Sequence, residues 1–195
     1  SVLILTLNEE RNIPAALESV KWSDDMVVLD SFSTDRTVEI AKAAGVRVFQ
    51  RKFDDFAAQR NYAIEQITFK NPWVFHLDAD ERFTPELVAE LDRLLAQNPS
   101  DTGFHCPSKM MFMGRWLKRA GGYPTYQMRL FHKDRMRFKD YGHGQREATD
   151  APLRRLSEPH RQHTGAQREI PRLAGGQVRR IGQRHQKIRP PHRRC

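Results

Sequence analysis

The stretch VFHLDADERFTPEL, residues 74–87, turns abruptly from apolar to acidic. Val74 to Leu77 form the apolar part, and Asp78, Asp80 and Glu81 follow within four residues. Carboxylates this close repel one another, and loss of solvent strengthens the repulsion. A solvated turn relieves it by exposure. A divalent cation relieves it by coordination, since hard cations take oxygen ligands. Two further polar clusters follow apolar runs. Asn8 and Glu9 follow VLILTL (2–7), and Asp30 and Ser31 follow MVVLD (26–30).

The elements that must position these residues are legible in the pattern. VLILTL, MVVLD, VRVFQ (46–50) and WVFHLD (73–78) read as strands, the first two as continuous apolar runs buried on both faces. Helical segments alternate with them. NEERNIPAALESV offers Ala15, Ala16, Leu17 and Val20 to a core, and STDRTVEIAKAAG ends at Gly45. FAAQRNYAIEQI covers 56–67, and TPELVAELDRLLAQN covers 84–98 with Thr84 at the N-cap and Pro85 at the first helical position. Strand and helix alternating four times predict an α/β fold with a doubly wound, mainly parallel sheet. Ligands of such sheets bind at the carboxyl ends of strands. All three polar clusters fall at such ends.

Composition narrows the function classes. The 195 residues carry a formal net charge of +9, yet residues 1–150 hold 21 Lys/Arg against 22 Asp/Glu, while 151–195 hold 12 against 2. The body is near neutral, and no nucleic-acid partner is expected for it. A nucleic-acid-binding role would rest on the tail alone. The two cysteines, Cys106 and Cys195, form neither a disulfide framework nor a metal pattern, which fits a reduced, cytoplasmic setting. No apolar stretch approaches the roughly 20 residues of a membrane span. The chain opens on a strand without an initiator Met, so the first residues of the native chain are expected upstream.

After residue 100 the pattern changes to short strands and loops, with aromatic and Arg residues alternating and a turn at Gly121, Gly122 and Pro124. Short antiparallel or edge strands are expected here. From 151 onward there is no Phe, Trp or Tyr. Such a segment buries too little apolar area to offset its ordering entropy, so two units are expected: a domain over 1–150 and a disordered basic tail over 151–195. A shifted reading frame in GC-rich DNA would also give this Arg/Pro/Gly/His/Gln mixture.

SVLILTLNEERNIPAALESV, VVLDSFSTDRTVEIAKAAG, FAAQRNYAIEQ and VFHLDADERFTPEL, in this order, resemble the family 2 glycosyltransferases. Phe112 to Leu117, Gly121 to Pro124 and Arg129 to Phe131 resemble a segment of bacterial lipopolysaccharide core glucosyltransferases. The resemblance covers about residues 1–147. It implies the GT-A fold, inversion at the sugar carbon and a nucleotide-diphosphate sugar donor, UDP-glucose or a related UDP-hexose. It makes Asp78-Ala79-Asp80 the D-x-D motif, with Asp80 on Mg²⁺ or Mn²⁺ and Asp78 on ribose or a metal-bound water. Thr6, Leu7, Asn8 and Glu9 would line the nucleotide pocket, and Asp30 would accept from the uracil imide. Arg60 and Asn61 would face the nucleotide or its diphosphate. Trp116, Tyr123 and Tyr126 would stack on sugar rings, and Arg129 would meet a phosphate. The acceptor would be a saccharide or lipid-linked saccharide of the cell envelope. That places the protein in the cytoplasm, or at the inner face of the cytoplasmic membrane through peripheral association. Transfer to a peptide is the alternative.

Inversion by in-line displacement needs a carboxylate on the acceptor side. Asp134, Asp140, Glu147 and Asp150 are available there. Family relatives carry a His-Glu pair after the R-L-F strand, whereas YGHGQRE separates His143 from Glu147 by three residues. Glu147 is the expected base, Asp140 the reserve, and His143 a metal or diphosphate contact. Two other enzyme classes fit less well. A sugar-nucleotide pyrophosphorylase needs a Gly-rich loop where TLNEERN stands. A haloacid-dehalogenase-type phosphatase places its acidic pair on the first strand, not the fourth.

Overall fold

The computed structural model describes residues 1–118, 123–141, 144–149, 151–156 and 166–169. The expected alternation is present: β1 (Val2–Thr6), α1 (Ile13–Ser19), β2 (Met26–Asp30), α2 (Thr37–Ala43), β3 (Arg47–Gln50), α3 (Phe56–Gln66), β4 (Trp73–Asp78), then β5 (Glu81–Arg82) and α4 (Pro85–Leu95). Thr84 caps α4 by accepting from the Leu87 N–H. The first four long strands pair in parallel in the order β3-β2-β1-β4.

Period-2 alternation in these strands feeds two apolar layers. Val2, Ile4, Val28, Phe75 and Leu77 point to one, which packs against Ala16 and Leu17 of α1, Ala41 of α2 and Leu87 and Leu91 of α4. Leu3, Val27, Leu29 and Val74 point to the other, against Ala57, Ala63 and Ile67. Helices on both faces explain why β1 and β2 read as unbroken apolar runs.

Beyond α4 the chain forms β6 (Gly103–Phe112), β7 (Arg115–Trp116), β8 (Thr125–His132), β9 (Phe138–Tyr141) and β10 (Gly144–Glu147). β8 lies antiparallel between β4 and β6, and β9 and β10 form a separate hairpin. The expected short strands are corrected here: β6 has ten residues and β8 eight. Their length follows from pairing with each other over Gly103–Ser108, a long-range contact that local composition does not announce. Because β8 opposes both neighbours, the far end of β6 points the same way as the carboxyl ends of β1, β2 and β4.

The tail expected to be disordered from 151 is corrected for its described residues. β11 (Leu153–Arg155) and β12 (Ala166–Glu169) both pair with β6, and Leu156 is 4% exposed within the first apolar layer. The physical reason is an open strand edge: β6 has backbone groups to satisfy opposite β8, and the following chain satisfies them. Residues 157–165 and 170–195, the rest of that expected tail, lie outside the described residues.

Candidate active site at the carboxyl edge

The ends of β1 and β2 are stitched together by side chains. Asp30 is fully buried, and its two oxygens accept from Thr6 Oγ1 (2.9 Å), Ser33 Oγ, the Ser33 N–H (2.9 Å) and Gln50 Nε2 (3.1 Å). A carboxylate offers about four acceptor sites, and all are used. Burial works against its charge, but hydrogen bonds from Ser33, Gln50 and Thr6 outweigh this and hold the carboxyl below the usual carboxylate range. Asp30, expected at the uracil imide, thus also organises the loop beneath the pocket. Asn8, with φ of 56°, accepts from the Thr34 N–H through its side chain, and its own N–H donates to Ser33 Oγ. The Glu9 N–H donates to Thr37 Oγ1, and its carboxylate accepts from Asn12. Burial raises the Glu9 carboxyl, and the charge of Asp80 raises it further against the Asn12 bond, so Glu9 and Asp80 share one electrostatic neighbourhood.

Beside this loop is a cleft of about 270 Å³ lined by Leu5, Thr6, Leu7, Ser31, Phe53, Phe56 and Gln59. Thr6 and Leu7, expected in the nucleotide pocket, are among the lining of this cleft. Phe53 and Phe56 meet edge to face at 5.1 Å, and both remain exposed. Neither was singled out from sequence, although two aromatics flanking a helix start at a strand's carboxyl end were a usable signal.

The D-x-D rests on a buried polar network. Arg129 of β8 is 2% exposed, and its Nη2 contacts Asp78 at 2.8 Å and Glu81 at 2.6 Å. Burial disfavours its charge, but the Glu81 and Asp78 carboxylates outweigh that and keep it firmly protonated. The same Nη2 also donates to Gln127 Oε1 at 2.6 Å, so the residue expected to meet a phosphate is anchored beneath the D-x-D. Arg60 is also buried, and its Nε donates to His76 Nδ1 at 2.8 Å. Burial, with Arg129 nearby, pulls Arg60 down to about 9, which leaves it charged at neutral pH. Burial and the Arg60 charge push His76 well below its ordinary value, so it is neutral, with Nε2 4.0 Å from Asp78 Oδ1. Arg60, expected to face the nucleotide or its diphosphate, is held against His76 of β4 next to the motif. Asn61, expected beside Arg60 at the nucleotide, has its amide donating to the Phe138 carbonyl and accepting from the Phe138 N–H, which clamps β9 to α3.

Glu147 lies on β10 with His105 Nε2 3.2 Å from its Oε1. The His105 hydrogen bond lowers the Glu147 carboxyl despite partial burial. Its charge also favours the charged form of Arg60, though less than Asp78 and Glu81 do. Asp140 stands exposed on β9, and His143 lies outside the described residues. The Trp116 ring, expected to stack on sugar, has the Lys109 and Lys118 ammonium groups 5.0 and 5.1 Å from its centroid and Tyr123 edge-on.

Among the described residues, no three His, Cys, Asp or Glu side chains converge to hold a metal alone. A Mg²⁺-type ion completed by phosphate oxygens needs only one or two protein carboxylates. With Asp78 tied to Arg129, Asp80 fits that part.

Residues 1–158 match the family model described as Glycosyl transferase family 2. The chain belongs to this family. Among curated relatives, this family 2 domain is 33% identical over 136 residues to an uncharacterized glycosyltransferase of Rickettsia bellii, covering 68% of this chain and 46% of that protein. It is 29% identical over 143 residues to the lipopolysaccharide core biosynthesis glycosyltransferase LpsC of Rhizobium meliloti, covering 71% and 52%. The chain thus spans about half the length of such relatives. Among solved structures, S. aureus TarS 1-349 in complex with UDP matches with a TM-score of 0.59 at 16% identity, covering 87% of this chain and 60% of that one. That likeness establishes the expected GT-A fold. Among the described residues, no helix is long and apolar enough to cross a membrane.

Proposed function

We propose that this family 2 domain transfers a hexose from UDP-glucose or a related UDP-sugar, with inversion, to a saccharide acceptor of the cell envelope, a lipid-linked core saccharide in particular. The observation that carries the reading is one edge holding both an apolar, aromatic cleft and a D-x-D fixed from below by a buried arginine. The uracil ring would enter the cleft between Leu7, Phe53 and Phe56, with the backbone of Thr6 and Leu7 reading its polar edge. Asp80, with His143 as a second candidate, would hold Mg²⁺ or Mn²⁺ against the diphosphate. When bound, that ion neutralises charge gathering on the leaving group. Glu147, oriented by His105, would take the proton of the acceptor hydroxyl as its oxygen bonds to the sugar carbon and the bond to UDP breaks. The kinship with LpsC and the UDP complex of the TarS fold relative support donor and acceptor class.

The deciding experiment is calorimetry with UDP and Mn²⁺. Binding should weaken by about tenfold or more on adding EDTA or in Asp80→Ala, as expected for loss of an ion that would neutralise the diphosphate charge. UDP affinity indifferent to both changes would overturn the metal reading.

A further inference from the structure

We infer that the β6–β7 hairpin is a docking element for an anionic phospholipid bilayer. Phe112 and Arg115 pair across a two-residue turn, Met113-Gly114, whose φ values are 49° and 73°. Turns of this kind favour Asn-Gly, because both central residues are left-handed. A Met there is disfavoured by backbone conformation, and its side chain finds no burial: Met113 is 62% exposed and Phe112 46%. The tip thus presents two large apolar side chains at a position where an Asn would suit the fold better.

What surrounds the tip identifies the partner. Arg115 and Lys118 are exposed, and half-buried Trp116 lies between them with Lys118 against its ring. Apolar tip, aromatic collar and cationic base follow the order in which side chains partition from acyl chains through the interface to anionic headgroups. The sequence from 102 to 133 contains six Lys/Arg and no Asp or Glu, so nothing in this segment repels such a surface. The hairpin also projects from the carboxyl edge that holds Asp78, since β6 runs opposite to β8 and β8 opposite to β4. A bilayer at the tip would face the same edge as the proposed active site. The inference deepens the proposed reading of a membrane-borne acceptor, and it can be tested without donor or acceptor.

The test is co-sedimentation of the full chain with vesicles of phosphatidylcholine alone, or mixed with phosphatidylglycerol, at physiological salt. Binding to the anionic vesicles should exceed binding to the neutral ones by about tenfold, and brominated lipid should quench tryptophan fluorescence. Phe112→Ser with Met113→Asn should lose about tenfold in affinity, and lose the quenching, at unchanged melting temperature. Arg115→Glu with Lys118→Glu should abolish the preference for anionic lipid. If the double tip variant does not fold, Met113→Asn alone serves, because Asn suits the left-handed backbone. Unchanged binding in the tip variants would overturn the inference and assign attachment to the basic tail. Indifference to both vesicle types would also overturn it, as would a sedimentation shift without lipid that the tip variants remove, which would make a second copy the occupant. UDP calorimetry on the same samples keeps a failure here separate from a failure of the donor reading.

Discussion

Glu147 and Asp30 are both carboxylates held below their ordinary range, and the reasons separate their roles. Glu147 keeps part of its surface and one strong neighbour, His105. Glu147→Gln should lower transfer by about a hundredfold, the usual scale for a lost general base, while UDP affinity measured by calorimetry stays near wild type. Asp30 is closed off. Its folded carboxyl titrates below the unfolded one, so its stabilisation is fully present above the unfolded value of about 4 and is lost as pH falls through the folded value. Asp30→Asn should cost about 2–3 kcal/mol at neutral pH in urea denaturation and should flatten that acid dependence. Sequence placed Asp30 at the right strand end but could not reveal that Ser33 and Gln50 would saturate it. His76 was the opposite case. A His inside VFHLD needs a partner when buried, and that signal was available before Arg60 was seen to supply one.

At the scale of elements, the four parallel strands and their helices were legible because β1, β2 and β4 are buried on both faces and helical patterns alternate with every strand. The antiparallel half was not, because β6, β8 and β12 owe their existence to partners far along the chain. The β9–β10 hairpin shows what such partners do. Among the described residues it joins no larger sheet, and Asn61 holds it by mimicking a strand neighbour with two hydrogen bonds to Phe138. Asn61→Ala should leave two buried backbone groups unpaired at a cost of about 1–3 kcal/mol each before relaxation. Hydrogen exchange should quicken selectively at Phe138 to Tyr141. Transfer should fall more than UDP affinity, because Glu147 travels with this hairpin.

Across the whole molecule, the described residues beyond 150 are part of the fold. Leu156 packs in the layer built by β1, β4 and α4, and its N–H donates to the His105 carbonyl. Leu156→Ala should cost about 2–4 kcal/mol, the range for a buried leucine truncation. A chain ending at Thr149 should show at least that loss in its urea midpoint. Composition misled here because two leucines among many arginines suffice when an open strand edge supplies the remaining contacts.

Arg129 gives the molecule a further property. The acids it neutralises lie on β4 and β5, before α4, while Arg129 itself lies well after it. The segments before and after α4 are therefore matched by charge inside the protein. A chimaera that joins the first half of this chain to the second half of a relative, with its seam between Arg82 and Gly103, inherits the acids without any guarantee of their cation. An unpaired buried carboxylate costs about 3–5 kcal/mol. Exchange of the segments before and after α4 between family members is thus constrained by this internal cation and its two acids, not only by surface residues.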